Sequence, residues 1–226
     1  MSLTILGGQA AAFMINLPTQ VKFRPTSVML RRKLFDAHQS WAGECFFDVC
    51  AGSGAMGMEA WSRGAESFFA EVDKFTLKLL AANLNKFRQR LGQSGGVNQV
   101  VENEEGQDYL AEHLINNQHR EDFGLGRVAS FAAEKTKPLT IFFDPPYEAL
   151  AELLPPFWAH LKKIIWAELW IESDRQKGLT EAQIMDLLGQ NFVLSAENMA
   201  AQAKTVAAGT NFIVKVRAKS HNADAR

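Results

Sequence analysis

Cysteine is scarce, histidine is scattered and long apolar runs are missing, and each shortage removes a class of protein. Cys45 and Cys50 are the only cysteines in 226 residues. That is too few for a disulfide framework or a four-ligand zinc site, so reduced core cysteines of a cytoplasmic protein are expected. The five histidines, His38, His113, His119, His160 and His221, share no metal-ligand or triad spacing and read as surface residues. No apolar run approaches the roughly 20 residues that cross a bilayer, and the N-terminal stretch lacks the basic start and long apolar core of a secretory signal. Membrane and secretory roles therefore drop out. Charge of one sign is also missing: the net charge is −1, so any contact with a polyanion must come from a local patch.

What remains has the balance of an ordinary globular chain, 47% hydrophobic and 22% charged, with the length of one domain. Short β-rich runs alternate with helical patterns, which predicts an α/β fold with a mostly parallel sheet and helices on both faces. Residues 1–26 read as an N-terminal extension or hairpin around Gly7-Gly8, residues 27–218 as the main domain, and 219–226 as a polar tail. A helix begins after Thr26 or Ser27, either of which can cap it, with Leu30, Leu34 and Trp41 near one face. Cys45 to Cys50 reads as a buried strand, Met56 to Arg63 as a helix ended by Gly64, Ser67 to Ala70 as a strand, and Phe75 to Leu91 as a helix. A strand near Gln99 to Glu102, a helix around Asp108 to Ile115 and a strand at Leu139 to Phe143 follow. The pattern closes with helix Glu148 to Lys163, strand Leu169 to Glu172, helix Thr180 to Leu188 and an antiparallel pair from Phe192 to Ser195 and Phe212 to Arg217. Asn116 to Lys137 is a polar insertion that leads from helix into strand, so it is expected at the sheet edge away from any ligand. Trp158, Trp166 and Trp170 read as packing aromatics.

Two segments carry chemistry. Gly52-Ser53-Gly54-Ala55-Met56-Gly57 has the G-x-G-x-x-G spacing after a strand and into a helix, with Glu71 and Asp73 about 20 residues beyond the first glycine. Missing side chains let backbone N–H groups approach a ligand, while an acid at the end of the second strand can accept from both ribose hydroxyls. A dinucleotide and S-adenosylmethionine both satisfy that arrangement. Asp144-Pro145-Pro146-Tyr147 discriminates between them. It leaves the apolar strand Leu139 to Phe143, and its prolines fix the backbone so that the Asp144 carboxylate and the Pro145 carbonyl converge as acceptors beside the flat face of Tyr147. An exocyclic amine on a planar base supplies the two matching donors. Held this way, the nitrogen can attack an already activated methyl group with alignment and electrostatics alone.

Together these segments resemble the RsmD-type family of class I methyltransferases. The likeness also includes Arg24-Pro25-Thr26 with Leu34-Phe35, Ser62-Arg63-Gly64-Ala65, Glu172-Ser173 and Gly209-Thr210. It implies a Rossmann-like, mostly parallel seven-stranded sheet, S-adenosylmethionine as cofactor, and methylation of guanine N2 in 16S ribosomal RNA or the assembling small subunit. By the same likeness, Asp48, Gly52, Ser53 and Gly54 would surround the methionine portion, Glu71 the ribose, and Glu105 or Asp108 the adenine amine. Arg24 and Thr26 would close over cofactor or substrate, and Asp144, Pro145 and Tyr147 would receive the base. The chain departs from the family where Gln9 to Ala12 and Val28-Met29 replace basic or polar positions. Lys22, Arg24, Arg31, Arg32 and Lys33 offer a local basic patch without an acid. Two other readings remain: an amine methyltransferase acting on adenine N6 in DNA or a protein glutamine, and a binding module without turnover.

Overall fold

A computed structural model describes residues 2–18, 25–92, 114–116, 136–162, 167–189, 192–194 and 206–218. The chain opens with a hairpin, β1 (Ser2–Thr4) against β2 (Met14–Asn16), followed by α1 (Val28–Ala37), whose N-cap is Ser27. Then come β3 (Cys45–Val49), α2 (Ala55–Ser62), β4 (Glu66–Glu71), α3 (Lys74–Arg90) and β5 (Leu114–Asn116). Beyond them lie β6 (Leu139–Phe143), α4 (Tyr147–Leu161), β7 (Ala167–Asp174), α5 (Glu181–Leu188), β8 (Phe192–Leu194), β9 (Val206–Ala208) and β10 (Asn211–Ala218).

Seven strands line up in the order β5-β4-β3-β6-β7-β10-β8, with β9 alongside β10. From β5 through β7 every pairing is parallel, and β10 runs antiparallel to β7, β8 and β9. The mostly parallel sheet expected from the sequence is therefore present, with β9 as an addition. Strand β3 pairs with β4 on one side and β6 on the other, so the chain reverses its direction of travel across the sheet between them. That switch point opens a crevice at the carboxyl ends of β3 and β6, where open α/β sheets bind ligands.

Alternation along the central strands fills both faces. Phe47, Val49, Ile141 and Phe143 pack with Leu150, Leu154, Phe157 and Ile184 from α4 and α5. Phe46, Phe142, Trp170 and Ile213 point the other way, onto Leu30, Leu34, Phe35 and Trp41. All five residues of β3 are buried, as a strand covered on both faces requires.

The hairpin is pinned to α2. Gln9 N donates to the Ser62 carbonyl at 2.7 Å and Ala10 N to Ser62 Oγ at 2.8 Å, while Leu6 N and Gly7 N donate to Glu59 at 2.8 and 3.0 Å. Glu59 is buried and also takes Arg63 at 3.0 Å and Arg31 at 3.6 Å. This corrects the expected basic patch. Arg31 is buried, with Nη1 donating to the Thr4 carbonyl at 3.1 Å, because it neutralises Glu59 beneath the hairpin. Burial lowers the pKa of its guanidinium, and Glu59 opposes that shift.

A second correction concerns Leu114 and Ile115, expected at a helix end. Leu114–Asn116 instead forms β5, in register with Phe69 to Glu71. Two adjacent apolar residues suit either period, and the open edge of β4 decides for a strand. The expected strand at 99–102, the rest of the expected helix at 108–115, nearly all of the insertion, Trp166 and the tail lie outside the described residues. Trp158 and Trp170 are core residues, as expected.

Candidate active site

Three carboxyls gather where β3, β4 and β6 end. In register, Val49 lies beside Ala70 and Phe143, so Glu71, the last residue of β4, stands beside Cys50 and Asp144, the first residues beyond β3 and β6. Cys50 takes a left-handed backbone, φ 66°, which an L side chain adopts at a cost and which turns the chain into the glycine loop. Its thiol is pushed well up, first by burial and then by the charges of Glu71, Asp144 and Asp48.

Glu71 shapes the loop. Its Oε2 accepts from Gly52 N at 2.8 Å, and its Oε1 accepts from Val72 N at 2.8 Å and Asp73 N at 2.9 Å. Burial raises the carboxyl pKa, and these backbone N–H groups draw it back. Asp48 is buried on β3 and accepts from Gly57 N at 2.9 Å through Oδ2. Its pKa stands well above the ordinary value because burial, Asp144 and Glu71 disfavour its charge and the Gly57 N–H alone opposes them. Asp144, half-buried just beyond β6, is raised by burial to about 7.

The glycine loop is held from below. Asn83 on α3 donates to the Ser53 carbonyl at 3.1 Å and the Asn16 carbonyl at 3.0 Å, which joins loop and hairpin through one amide. Gly54 has φ 86°, a backbone that strains any L side chain, and a Cβ there would also have to push aside Leu80 Cδ1 and Met58 Cε, 2.6 Å away. Ser53 Oγ is buried without a hydrogen-bond partner among the described residues. A buried orphan hydroxyl at the mouth of an N–H-rich loop suits a polar ligand atom.

The acceptor turn is anchored through a chain of side chains. Thr26 Oγ1 donates to Glu172 Oε2 at 2.9 Å, and Asn211 Nδ2 lies 3.5 Å from Glu172 Oε1 and donates to the Tyr147 hydroxyl at 2.8 Å. Thr26 ahead of α1, Glu172 on β7 and Asn211 at the start of β10 are thus linked in series, and Asn211 makes the bond to Tyr147. Asn211 escaped the sequence reading, although it directly follows Gly209-Thr210. An asparagine opening a strand looks like turn chemistry until its partner across the sheet is known.

Of the expected site residues, Asp48, Gly52, Ser53, Gly54 and Glu71 line the switch-point loop, with Asp144, Pro145 and Tyr147 on the neighbouring strand end. Thr26 meets the same edge through Glu172. Arg24, Glu105 and Asp108 lie outside the described residues.

These residues fit S-adenosylmethionine. The cofactor carries a sulfonium and an ammonium, and Asp48, Glu71 and Asp144 are all held above their ordinary pKa by burial, a penalty that a cationic ligand relieves. Ser53 Oγ, which has no partner among the described residues, would supply a further polar contact.

Strand order, switch point and loop define the class I methyltransferase fold. The sequence model of the family described as conserved hypothetical protein 95 (Cons_hypoth95) matches residues 3–118, more than half of the chain, and this protein belongs to that family, the RsmD-type group that its motifs resemble. Solved structures share the fold over nearly the whole length. The Escherichia coli protein yhhF, described provisionally as a methyltransferase, is 21% identical, with 97% of this chain and 99% of that one covered at a TM-score of 0.59. The Haemophilus influenzae protein HI0767, described provisionally as a methylase, is 19% identical over 97% of this chain and 100% of that one, with a TM-score of 0.54. A ribosomal protein L11 methylase from Lactobacillus delbrueckii subsp. bulgaricus is 13% identical, covering 93% and 88% at 0.51. No curated protein matches the chain by sequence. Among the described residues, no helix is long and apolar enough to cross a membrane.

Proposed function

We propose that this protein transfers a methyl group from S-adenosylmethionine to the exocyclic N2 amine of a guanine in 16S ribosomal RNA, free or within the assembling small subunit, in the cytoplasm. One observation carries the reading: the Asp144–Tyr147 turn leaves β6 beside the loop that leaves β3, with Tyr147 anchored by Asn211. When bound, the cofactor supplies a methyl group already activated on a sulfonium.

The protein's own work is then binding and alignment. Asp48, Ser53 and Glu71 hold the donor at the glycine loop. The Asp144 carboxylate and Pro145 carbonyl accept the two amine N–H groups, which frees the nitrogen lone pair from the ring. The Tyr147 ring offers a face for a base extruded from its stack. A carboxyl with a pKa of about 7 is also matched to take the proton that the amine sheds at neutral pH. The family membership and the shared fold support the donor half of this reading. The acceptor half rests on the turn.

Asp144→Ala separates the halves. Methyl transfer should fall about 100-fold, within the range of general acid–base contributions, far more than cofactor affinity, which loses only the attraction of one carboxylate. Equal losses in both would remove Asp144 from the acceptor side.

A further inference from the structure

Helix α3 carries Lys74, Lys78, Lys86, Arg88 and Arg90 with no acid, inside a chain whose net charge is −1. Four of these cations, Lys74, Lys78, Lys86 and Arg90, are exposed along one ridge of spacing four, completed by Ala82, which winds about 160° around the helix from first to last. The row runs about 24 Å along the helix. None of its four cations has an acidic partner among the described residues.

An ordinary solvated helix face mixes signs and gains from pairs four residues apart. Here Lys74 faces Lys78 and Lys86 faces Arg90, both like-charge neighbours at that spacing. Lys74 also sits at the positive end of the helix dipole, where a cation is unfavourable. Helix stability accounts for Arg90, which sits in the last turn, but not for Lys74 and Lys78. Beside its first members stands Phe75, 81% exposed, the most exposed large apolar side chain among the described residues. A phenylalanine in water between two lysines stabilises nothing in the fold, but it is suited to stacking on a base.

The row points at the site. Asp73, the N-cap of α3, donates its backbone N–H to Glu71, so Lys74 and Phe75 leave the same sheet edge as the glycine loop. The acceptor turn lies two strands further along that edge, about 10 Å at ordinary strand spacing.

We infer that the exposed row of α3 is a docking surface for RNA flanking the target base, with Lys74, Lys78, Lys86 and Arg90 on successive phosphates and Phe75 stacked on an unpaired base. This rests on the proposed RNA acceptor. A single file of point charges winding along the helix from an exposed aromatic suits a flexible single strand, which can follow the ridge and stack a base, better than an acidic protein patch, which needs no stacking face.

The test uses the full chain and a fluorescently labelled 16S ribosomal RNA transcript. Binding is measured between 50 and 300 mM salt for wild type, for the variant Lys74→Gln/Lys78→Gln/Lys86→Gln/Arg90→Gln, and for Phe75→Ala. Each phosphate contact on a single strand contributes about 0.7 to the salt slope, so the fourfold variant should flatten it by about 2 to 3 and bind at least tenfold more weakly near 150 mM salt. Phe75→Ala should weaken binding severalfold at an unchanged slope. Both variants should keep wild-type affinity for S-adenosylmethionine and melt no lower than wild type, since all five side chains are exposed and the glutamines relieve like-charge repulsion. An unchanged slope in the fourfold variant overturns the inference. Wild-type binding to poly-glutamate as tight as to RNA, lost in the same variant, overturns it in favour of an acidic protein. Failure of the proposed function shows separately, as a wild type that binds the transcript but methylates no guanine in it.

Discussion

Asn211 Nδ2 donates to the Tyr147 hydroxyl at 2.8 Å, a bond between residues 64 apart in sequence that fixes the aromatic face of the acceptor turn. The first residue of the last strand thereby positions the first residue of α4. Asn211→Ala and Tyr147→Phe each remove this bond, worth about 1 kcal/mol net. Each should lower kcat/KM for the acceptor about three- to tenfold and leave cofactor affinity intact. The double variant should be no worse than either single one, a double-mutant cycle that steady-state kinetics can close. Additive losses would show that the two residues act apart.

The Asp144 carboxyl, raised by burial from 3.8 to about 7, makes ligand binding and stability depend on pH. Between about pH 4 and 7 the unfolded chain has this carboxyl ionised while the folded one keeps its proton. The folded state then binds more protons, and the contribution of Asp144 to stability falls as pH rises across that window. Cationic S-adenosylmethionine favours the ionised form, so its binding near pH 7 should release protons. Calorimetry in buffers of different ionisation enthalpy should show a buffer-dependent heat that shrinks in Asp144→Asn. A buffer-independent heat in the wild type would contradict the coupling.

Much of this site was legible before the fold was known, because its parts are local. The spacing of Gly52, Gly54 and Gly57 and the Asp144 turn depend on backbone constraints within a few residues. The strand Leu139–Phe143 matches its expected bounds because an apolar run between turn signals leaves little choice. What stayed hidden depends on partners distant in sequence. Arg31 looked like a phosphate contact and is instead buried against Glu59, 28 positions away. Leu114–Asn116 became a strand because β4 offered it an edge. Asn211 and the left-handed Cys50 acquire meaning only when β3, β6 and β10 lie in one sheet.

Glu59 should be among the costliest single losses in the molecule. Glu59→Ala leaves the buried Arg31 without its carboxylate, leaves Arg63 only the Asp36 carboxylate at 3.8 Å among the described residues, and strips the Leu6 and Gly7 N–H groups of their acceptor. Breaking a buried pair in this way costs about 3–5 kcal/mol. Urea denaturation should show that loss, with faster proteolysis within the hairpin. A loss below about 1 kcal/mol would mean that the hairpin is held by other contacts.

Gly54 tests the loop. Gly54→Ala combines a left-handed backbone with a Cβ 2.6 Å from Leu80 and Met58, and it should cost about 1–3 kcal/mol and weaken S-adenosylmethionine binding together. Thermal melts with and without the cofactor would measure both effects. Unaltered ligand stabilisation would separate the loop from the cofactor.

The measurement that bears most directly on the central claim is nucleoside analysis of labelled product. Purified protein is incubated with methyl-labelled S-adenosylmethionine and, in parallel, 16S ribosomal RNA, small ribosomal subunits, duplex DNA and protein. Digestion should recover the label as N2-methylguanosine from the ribosomal RNA or subunits, with the signal lost in Asp144→Ala. Label in adenine or in protein, or N2-methylguanosine undiminished in that variant, would contradict the account.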